Sequence, residues 1–195
     1  MNVKSALLAC IIIISGLLSK AQSTDTLTDA RDGKKYKTIT IGTQTWMAEN
    51  LNYDMSGSWC IDCEIYGRVY TYKAATTGCP NGWHLPSEAE WNVLTDAAGG
   101  RSVVGGNLKE AGTGHWKAPN TGATNASGFT ALPHGYRSMN GILNFKTKMG
   151  SWWSSATDPK YPMNAMSLRL DFNRSDVTYV PSDKNVGLSV RCLKD

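Results

Sequence analysis

The stretch "GCPNGWHLPSEAEWNVL", residues 78–94, decides the fold because a turn, a strand and a helix follow one another in it. Pro80–Gly82 is typical of a turn. Alternation along the next residues places Trp83 and Leu85 on one face of a short strand and His84 on the other. We therefore interpret His84 as a hydrogen-bonded structural histidine rather than a catalytic one.

The second half of this stretch predicts a helix with a well-defined start and end. Ser87, followed three residues later by Glu90, forms a capping box. Trp91 and Leu94 then fall on one face at helical spacing, and Gly99–Gly100 ends the helix. This helix is the clearest element in the sequence.

Outside this stretch the chain is dominated by short strand signals and loops. "YKTITIGTQTWMAENL" predicts a hairpin, and "MNGIL" contains an Asn-Gly hairpin turn. Further strands are predicted at "GSWWSSAT", "AMSLRLDF" and "DVTYV", and the closing strand places Leu188, Val190 and Cys192 on one face. The pattern predicts an α+β fold with two main helices, short antiparallel sheets and long ordered loops.

The N-terminus has the features of a secretory signal peptide. Lys4 precedes an apolar run over residues 6–18, and small polar residues follow around Ala21, where cleavage is expected. The run is shorter than the roughly 20 residues that a membrane span needs. Lipidation at Cys10 is disfavoured because the apolar run continues past it. The predicted segments are a signal peptide over residues 1–21, a disordered leader over residues 22–31 and a single domain over residues 32–195.

Charge and cysteine content restrict the function. Removing Lys4 and Lys20 leaves 18 basic and 16 acidic residues of the original 20 and 16, so the net charge is only +2. This balance gives no support to binding of nucleic acid or of an anionic membrane surface. Four cysteines remain after residue 21, and an even number in a secreted chain favours disulfides, with three possible pairings.

Several motifs occur in an order that resembles a known family, the Fibrobacter succinogenes major paralogous domain of secreted and surface proteins from Bacteroidetes and Fibrobacteres. The motifs are "DGKKYKTITIGTQTWMAENLNY", "YGRVYTY", "CPNGWHLPSEAEW", "SGFTALPHGYR", "WWSSAT" and "GLSVRCLKD". The resemblance covers residues 31–194 and implies a C-type-lectin-like fold, related to that of formylglycine-generating enzymes. It implies location in the periplasm or on the cell surface, and it does not imply an activity.

The resemblance also implies a disulfide between Cys79, just before a helix, and Cys192 on the last strand. Cys60 and Cys63 form a C-x-x-C pair, for which a local disulfide is the simplest interpretation. A redox role would require a helix N-terminus that lowers a thiol pKa, and zinc would require a second ligand pair. The tight spacing departs from the wider gap common in the family and leaves reducibility open.

We expect a secreted, non-catalytic binding module that recognises a glycan or another envelope protein through its long loops, around residues 105–165. The alternative is a structural subunit of an outer-membrane or cell-surface assembly. A flat aromatic face with neighbouring donors is typical of such binding surfaces. The candidate ligand-binding residues are Trp116, His115, Tyr136, Arg137, Trp152 and Trp153. At least one of the two adjacent tryptophans must be in the core, since neighbouring strand residues face opposite ways.

Two further chemistries are weaker hypotheses. No cofactor is required by the sequence, but Asp171, Asn173 and Asp176 in "DFNRSD" are candidate oxygen ligands for calcium. A formylglycine-generating oxygenase, which the resemblance brings to mind as a remote alternative, needs a pair of reactive cysteines near the C-terminus. That region contains only Cys192, which the resemblance assigns to a disulfide.

Overall fold

The structure, a computed structural model of the 195-residue chain, describes residues 24–195. The predicted signal peptide, residues 1–21, lies outside the described residues. The strands are β1 Thr24–Thr28, β2 Lys35–Ile41, β3 Gln44–Met47, β4 Ser58–Trp59, β5 Val69–Tyr70, β6 Trp83–His84, β7 Tyr136–Arg137, β8 Leu143–Asn144, β9 Met149–Thr157, β10 Asn164–Asp171, β11 Thr178–Asp183 and β12 Leu193–Lys194. The helices are α1 Cys63–Tyr66, α2 Tyr72–Gly78, α3 Glu88–Ala97 and α4 Val104–Leu108.

The largest sheet is antiparallel, with the strand order β1-β2-β3-β12-β6. The predicted hairpin is β2–β3, in which Ile39 lies opposite Trp46. The C-terminal strand β12 inserts between β3 and β6, so that Leu193 pairs with both Trp46 and His84. The two ends of the domain are therefore joined in one sheet.

The predicted disordered leader over residues 22–31 is wrong for most of its length. Residues Thr24–Thr28 form β1 and pair in continuous register with β2, from Thr24 opposite Ile39 to Thr28 opposite Lys35. Asp29 is fully buried and accepts two hydrogen bonds from the Arg31 guanidinium. The segment is too polar to show apolar periodicity, and pairing with its neighbour gives it order instead.

A second, three-stranded sheet has the order β11-β10-β9 and lies next to a two-stranded hairpin, β7–β8. The predicted Asn-Gly turn closes this hairpin, with Gly141 at φ +90° and its amide bonded to Ser138. Strands predicted at "GSWWSSAT", "AMSLRLDF" and "DVTYV" correspond to β9, β10 and β11. Strands β4 and β5 form a small separate pair.

The interior consists of two hydrophobic clusters, and at two places neighbouring residues of one strand belong to different clusters. Trp46 belongs to the first cluster and Met47 to the second, and Trp152 and Trp153 divide in the same way. This follows from the alternation of side chains across a strand. The second cluster also contains the three residues predicted to share a face of the closing segment, Leu188, Val190 and Cys192.

Helix α3 begins as predicted. The Ser87 side chain accepts from the Glu90 amide, and the Glu90 carboxylate accepts from the Ser87 amide, which completes the capping box. In α4 two glycines allow unusually close backbone contact. A Cβ on Gly105 would lie 2.2 Å from the Asp176 carbonyl oxygen, and one on Gly106 would lie 2.2 Å from that of Gly122.

Both predicted disulfides are present. Cys79 joins Cys192, 113 residues away, and Cys60 joins Cys63, three residues away. Together with the small antiparallel sheets and the few helices, they confirm the α+β part of the fold prediction. The four cysteines that follow residue 23 are thus all paired.

Candidate functional site

Three of the tryptophans predicted to bind a ligand are core residues instead. Trp116 is 1% exposed, and Trp152 and Trp153 are fully buried. Each indole N–H donates to an acceptor inside the protein. Trp116 donates to the Ala131 carbonyl at 2.9 Å, Trp152 to the Asn50 side-chain oxygen at 2.8 Å, and Trp153 to the Tyr70 carbonyl at 2.7 Å. The prediction was wrong for these residues because they pack in the hydrophobic interior, Trp116 and Trp152 in the first cluster and Trp153 in the second.

The other predicted ligand residues remain at the surface. The His115 ring nitrogen Nδ1 lies 2.9 Å from both carboxylate oxygens of Glu110. Tyr136 and Arg137 are consecutive residues of β7 and contact different partners. Tyr136 stacks on Phe145 with ring centroids 6.1 Å apart, whereas the Arg137 guanidinium lies 3.8 Å from the centroid of the Trp59 ring.

A groove of about 360 Å³ separates the β7–β8 hairpin from the three-stranded sheet. Tyr136 and Phe145 form one wall, and Arg169 contributes a cation on the sheet side. The Arg169 guanidinium is held by the Asp171 carboxylate, with contacts of 2.8–3.1 Å. The groove is lined by Tyr136, Phe145, Met149, Ser151, Arg169, Val180, Pro181, Ser182, Asp183, Val186 and Leu188.

The hairpin beside this groove carries large apolar side chains into solvent. Met139 is 65% exposed, Ile142 57% and Phe145 54%. We call these three residues the hairpin surface. Single exposed apolar residues are common on proteins, but three large ones on one short hairpin next to an aromatic groove indicate an interaction surface. The sequence analysis named Tyr136 and Arg137 on this hairpin but missed the three apolar residues.

The base of the hairpin rests on the Cys60–Cys63 loop. The His134 Nε2 atom, just before β7, donates to the Ile61 carbonyl at 2.7 Å, and Lys146, just after β8, forms an ion pair with Asp62. His134 is fully buried and stacks on Tyr66 at a centroid distance of 5.0 Å. Burial lowers the pKa of His134, so the ring is neutral and its Nδ1 is a buried acceptor without a partner.

His84, predicted to be structural, lies between two carboxylates. Its Nδ1 is 2.6 Å from an Asp195 oxygen and its Nε2 is 2.9 Å from a Glu90 oxygen. Burial opposes the charged form, but hydrogen bonds to Asp195 and Glu90 outweigh it and raise the pKa of His84. The histidine thus ties β6 to the start of α3 and to the C-terminus.

Two buried cations were missed by the sequence analysis. Arg191 is fully buried and donates to the Asn50 side chain and to the carbonyls of Met47, Phe129 and Thr130, at 2.5–3.1 Å. It also borders a polar pocket of about 340 Å³. A charged residue in a strand-like pattern is normally interpreted as a surface residue, so no signal in the sequence marked it.

The second buried cation is Lys109. Its Nζ atom donates to the carbonyls of Thr121, Asp171 and Arg174, at 2.8–3.1 Å. Burial lowers the pKa of Lys109 to about 8. The three acceptors come from the loop at Thr121 and from the end of β10 with the turn that follows it, so this lysine joins the two regions below the surface.

The calcium candidates do not converge. The Asp171 carboxylate binds Arg169, the Asp176 carboxylate binds Arg174, and Asn173 is exposed. Between residues 24 and 195, no group of three His, Cys, Asp or Glu side chains is placed to hold a metal ion. Calcium binding stays a prediction, and it would require both carboxylates to leave an arginine first.

These features define the class of the protein as a small α+β domain with two disulfides and an apolar hairpin beside a groove. The chain belongs to the Fibrobacter succinogenes major domain family, whose profile matches residues 39–194. The family predicted from the sequence motifs is therefore confirmed. Neither the curated proteins nor the solved structures contain a match to the chain. No helix within the described residues is long and apolar enough to cross a membrane.

Proposed function

We propose that this domain is a secreted, non-catalytic binding module of the bacterial envelope and that it recognises another protein through its hairpin surface. The observation that carries this proposal is the exposure of Met139, Ile142 and Phe145 on one hairpin. Aromatic residues and methionine are enriched where proteins meet, and charged residues are depleted at the centre of such contacts. The adjacent groove offers room for a side chain of the partner.

Protein binding is favoured over glycan binding by the position of the tryptophans. A glycan module should present an exposed tryptophan above a polar groove. All seven tryptophans lie among the described residues, and five of them are buried. Trp59 and Trp83 are half-buried, and the Arg137 guanidinium covers Trp59. The exposed residues beside the groove include Met139, Ile142 and Phe145, and these apolar side chains suit a protein surface better than a sugar.

Two observations support an extracytoplasmic location. The N-terminal sequence has the pattern of a signal peptide, and two disulfides are most stable in an oxidising compartment. We place the domain in the periplasm or on the cell surface. There it would act as an adaptor or as a subunit of a larger assembly.

We further propose that the fold is a variant of the C-type-lectin-like fold. The C-terminal strand β12 lies in the same sheet as β1–β3 and pairs with β3, and this arrangement and the Cys79–Cys192 disulfide support the proposal. An oxygenase of the formylglycine-generating type is disfavoured, because it would need a reactive cysteine pair where Cys192 is held in a disulfide.

The proposal is tested by crosslinking from the hairpin. The chain carries a photoreactive residue in place of Ile142 and is irradiated in native envelope extract, with and without a calcium chelator. The matched control carries the same residue in place of Val93, which is 45% exposed on α3. We expect one protein to be crosslinked from position 142 and not from position 93.

A second variant provides an independent measurement. Met139→Ser with Ile142→Ser should abolish capture of that protein without changing the melting temperature, since both side chains are exposed. Val93→Ser should leave capture unchanged. If the chain is retained only on purified polysaccharide, and equally with both variants, the domain is a glycan module and the proposal is wrong.

A further inference from the structure

Three residues within 59–62 contact the β7–β8 hairpin or the residues that flank it. The Trp59 ring lies under Arg137, the Ile61 carbonyl accepts from His134, and Asp62 pairs with Lys146. His134 and Lys146 flank the hairpin on its two sides. The segment closed by the Cys60–Cys63 disulfide is therefore the support on which the base of the hairpin rests.

The two sulfurs of this disulfide differ in accessibility. Cys60 is exposed, whereas Cys63 is 7% exposed and begins α1. In the other disulfide Cys192 is fully buried, and Cys79 is only half-exposed. An attacking thiolate must reach a sulfur along the S–S axis, so access decides which disulfide exchanges. Cys60 is the most exposed residue of the four disulfide cysteines.

We propose that Cys60–Cys63 is a thiol-exchange site for a dithiol and that its redox state controls the order of the hairpin. The inference uses the hairpin surface of the proposed function, but it concerns the state of that surface and not its ligand. A partner of the required chemistry is a protein or small molecule with two neighbouring thiols. The disulfide is reduced and the dithiol is oxidised, with transfer of two electrons.

The exchange proceeds in two balanced steps. A thiolate of the dithiol attacks the Cys60 sulfur, the Cys60–Cys63 bond breaks, and Cys63 leaves as a thiolate that takes a proton from water. The second thiol of the dithiol then loses its proton and attacks the first sulfur of the same dithiol, which is bonded to Cys60 in the mixed disulfide. Cys60 leaves as a thiolate and takes a proton. The products are two cysteine thiols and an intramolecular disulfide in the partner.

Reduction should loosen the hairpin unevenly. The β7 side keeps two backbone hydrogen bonds between Arg137 and Gly187, at 2.8 and 2.9 Å, whatever the state of the cysteines. The β8 side contacts the disulfide loop through the Lys146–Asp62 ion pair, and the backbone bond from the Thr147 amide to the Pro133 carbonyl holds only the residue that follows it. When the loop opens, residues 142–146 should gain mobility, and these residues include Ile142 and Phe145 of the hairpin surface.

The first test titrates the mature chain with dithiothreitol and maps the free thiols by alkylation and mass spectrometry. Cys60 and Cys63 should become labelled at a concentration at least tenfold below that needed for Cys79 and Cys192. Amide hydrogen exchange of residues 142–146 should then rise at least fivefold, with β9 unchanged. Simultaneous reduction of both disulfides, or unchanged exchange in the hairpin, would overturn the proposal.

The second test compares two single-cysteine variants, because each leaves one sulfur free. Cys63→Ala leaves the exposed Cys60, and Cys60→Ala leaves the buried Cys63. The former should react with oxidised glutathione at least tenfold faster, and equal rates would contradict the assignment of Cys60 as the exchanging sulfur. Neither test involves a binding partner, so failure here and failure of the proposed function can be told apart.

Discussion

The two disulfides should contribute very different amounts to stability, and the difference follows from the length of chain that each one closes. Cys79–Cys192 closes a loop with a separation of 113 residues, and Cys60–Cys63 closes one with a separation of three. In the chain-entropy treatment, these lengths correspond to about 5 and about 2 kcal/mol of unfolding free energy. The difference of about 3 kcal/mol depends only on the logarithm of the two lengths.

The perturbation consists of two double variants, Cys79→Ala with Cys192→Ala and Cys60→Ala with Cys63→Ala. Packing increases the contrast, since Cys192 is fully buried in the second cluster while Cys60 is exposed. Loss of about 5 kcal/mol is comparable to the whole stability of a small domain. We therefore expect the first variant to be largely unfolded at 37 °C and the second to remain folded.

The assay is urea unfolding at 15 °C followed by tryptophan fluorescence, which is sensitive because five tryptophans are buried. Wild-type protein in the absence of reductant is the reference. The slope of free energy against urea is compared as well, since loss of a long crosslink exposes more surface in the unfolded chain. Equal losses in the two variants would show that loop length does not determine the stabilisation and would refute the reasoning.

Two further predictions concern buried and paired charges. Arg191→Met should lower the free energy of unfolding by about 3–5 kcal/mol, because it leaves buried carbonyls without donors. As a control, Arg169→Met should cost less than about 1 kcal/mol in the same urea assay, because the Arg169 side chain is partly exposed. His84→Asn should lower the free energy of unfolding more at pH 5.5 than at pH 8.5. The pairs with Glu90 and Asp195 raise the pKa of His84 in the folded protein above its unfolded value of about 6.5. Their stabilisation is therefore fully present below the unfolded pKa and is lost as the pH rises through the folded pKa. The difference should stay below about 1 kcal/mol because the ring is more than a third exposed, and a pH-independent cost would contradict it.

Local signals in the sequence predicted local structure correctly. The Ser87–Glu90 capping box and the Asn140–Gly141 turn each depend on a few neighbouring residues, and both are present. The β2–β3 hairpin was found for the same reason. In each case the side chains that determine the geometry lie within a few positions of the backbone that they shape.

The positions of Trp116 and Arg191 could not be predicted in this way. Trp116 is enclosed by parts of the chain that lie outside its own sequence neighbourhood, and its indole N–H donates to the Ala131 carbonyl 15 residues away. Arg191 is buried because the Met47, Phe129 and Thr130 carbonyls meet at one point, which only the folded chain defines. A charged side chain, and an aromatic side chain in a polar loop, were both expected at the surface. Long-range packing buries both of them here.

The same reasoning applies to the hairpin. The Asn-Gly turn predicted its existence, but the exposure of Met139 and Ile142 is known only once the neighbouring sheet is in place. The support under it, from Ile61 to His134, joins residues 73 positions apart. The hairpin could therefore be predicted from its turn residues, whereas the side chains that face solvent could not.

Lys109 gives the loop region a property beyond stability. Its ammonium group donates to the carbonyl oxygens of residues 121, 171 and 174, which surround it as oxygen ligands surround a bound ion. Here the cation is attached to the backbone by its own side chain, so it is delivered when the chain folds. This junction needs no ion from the surroundings, so it should not depend on their ionic composition.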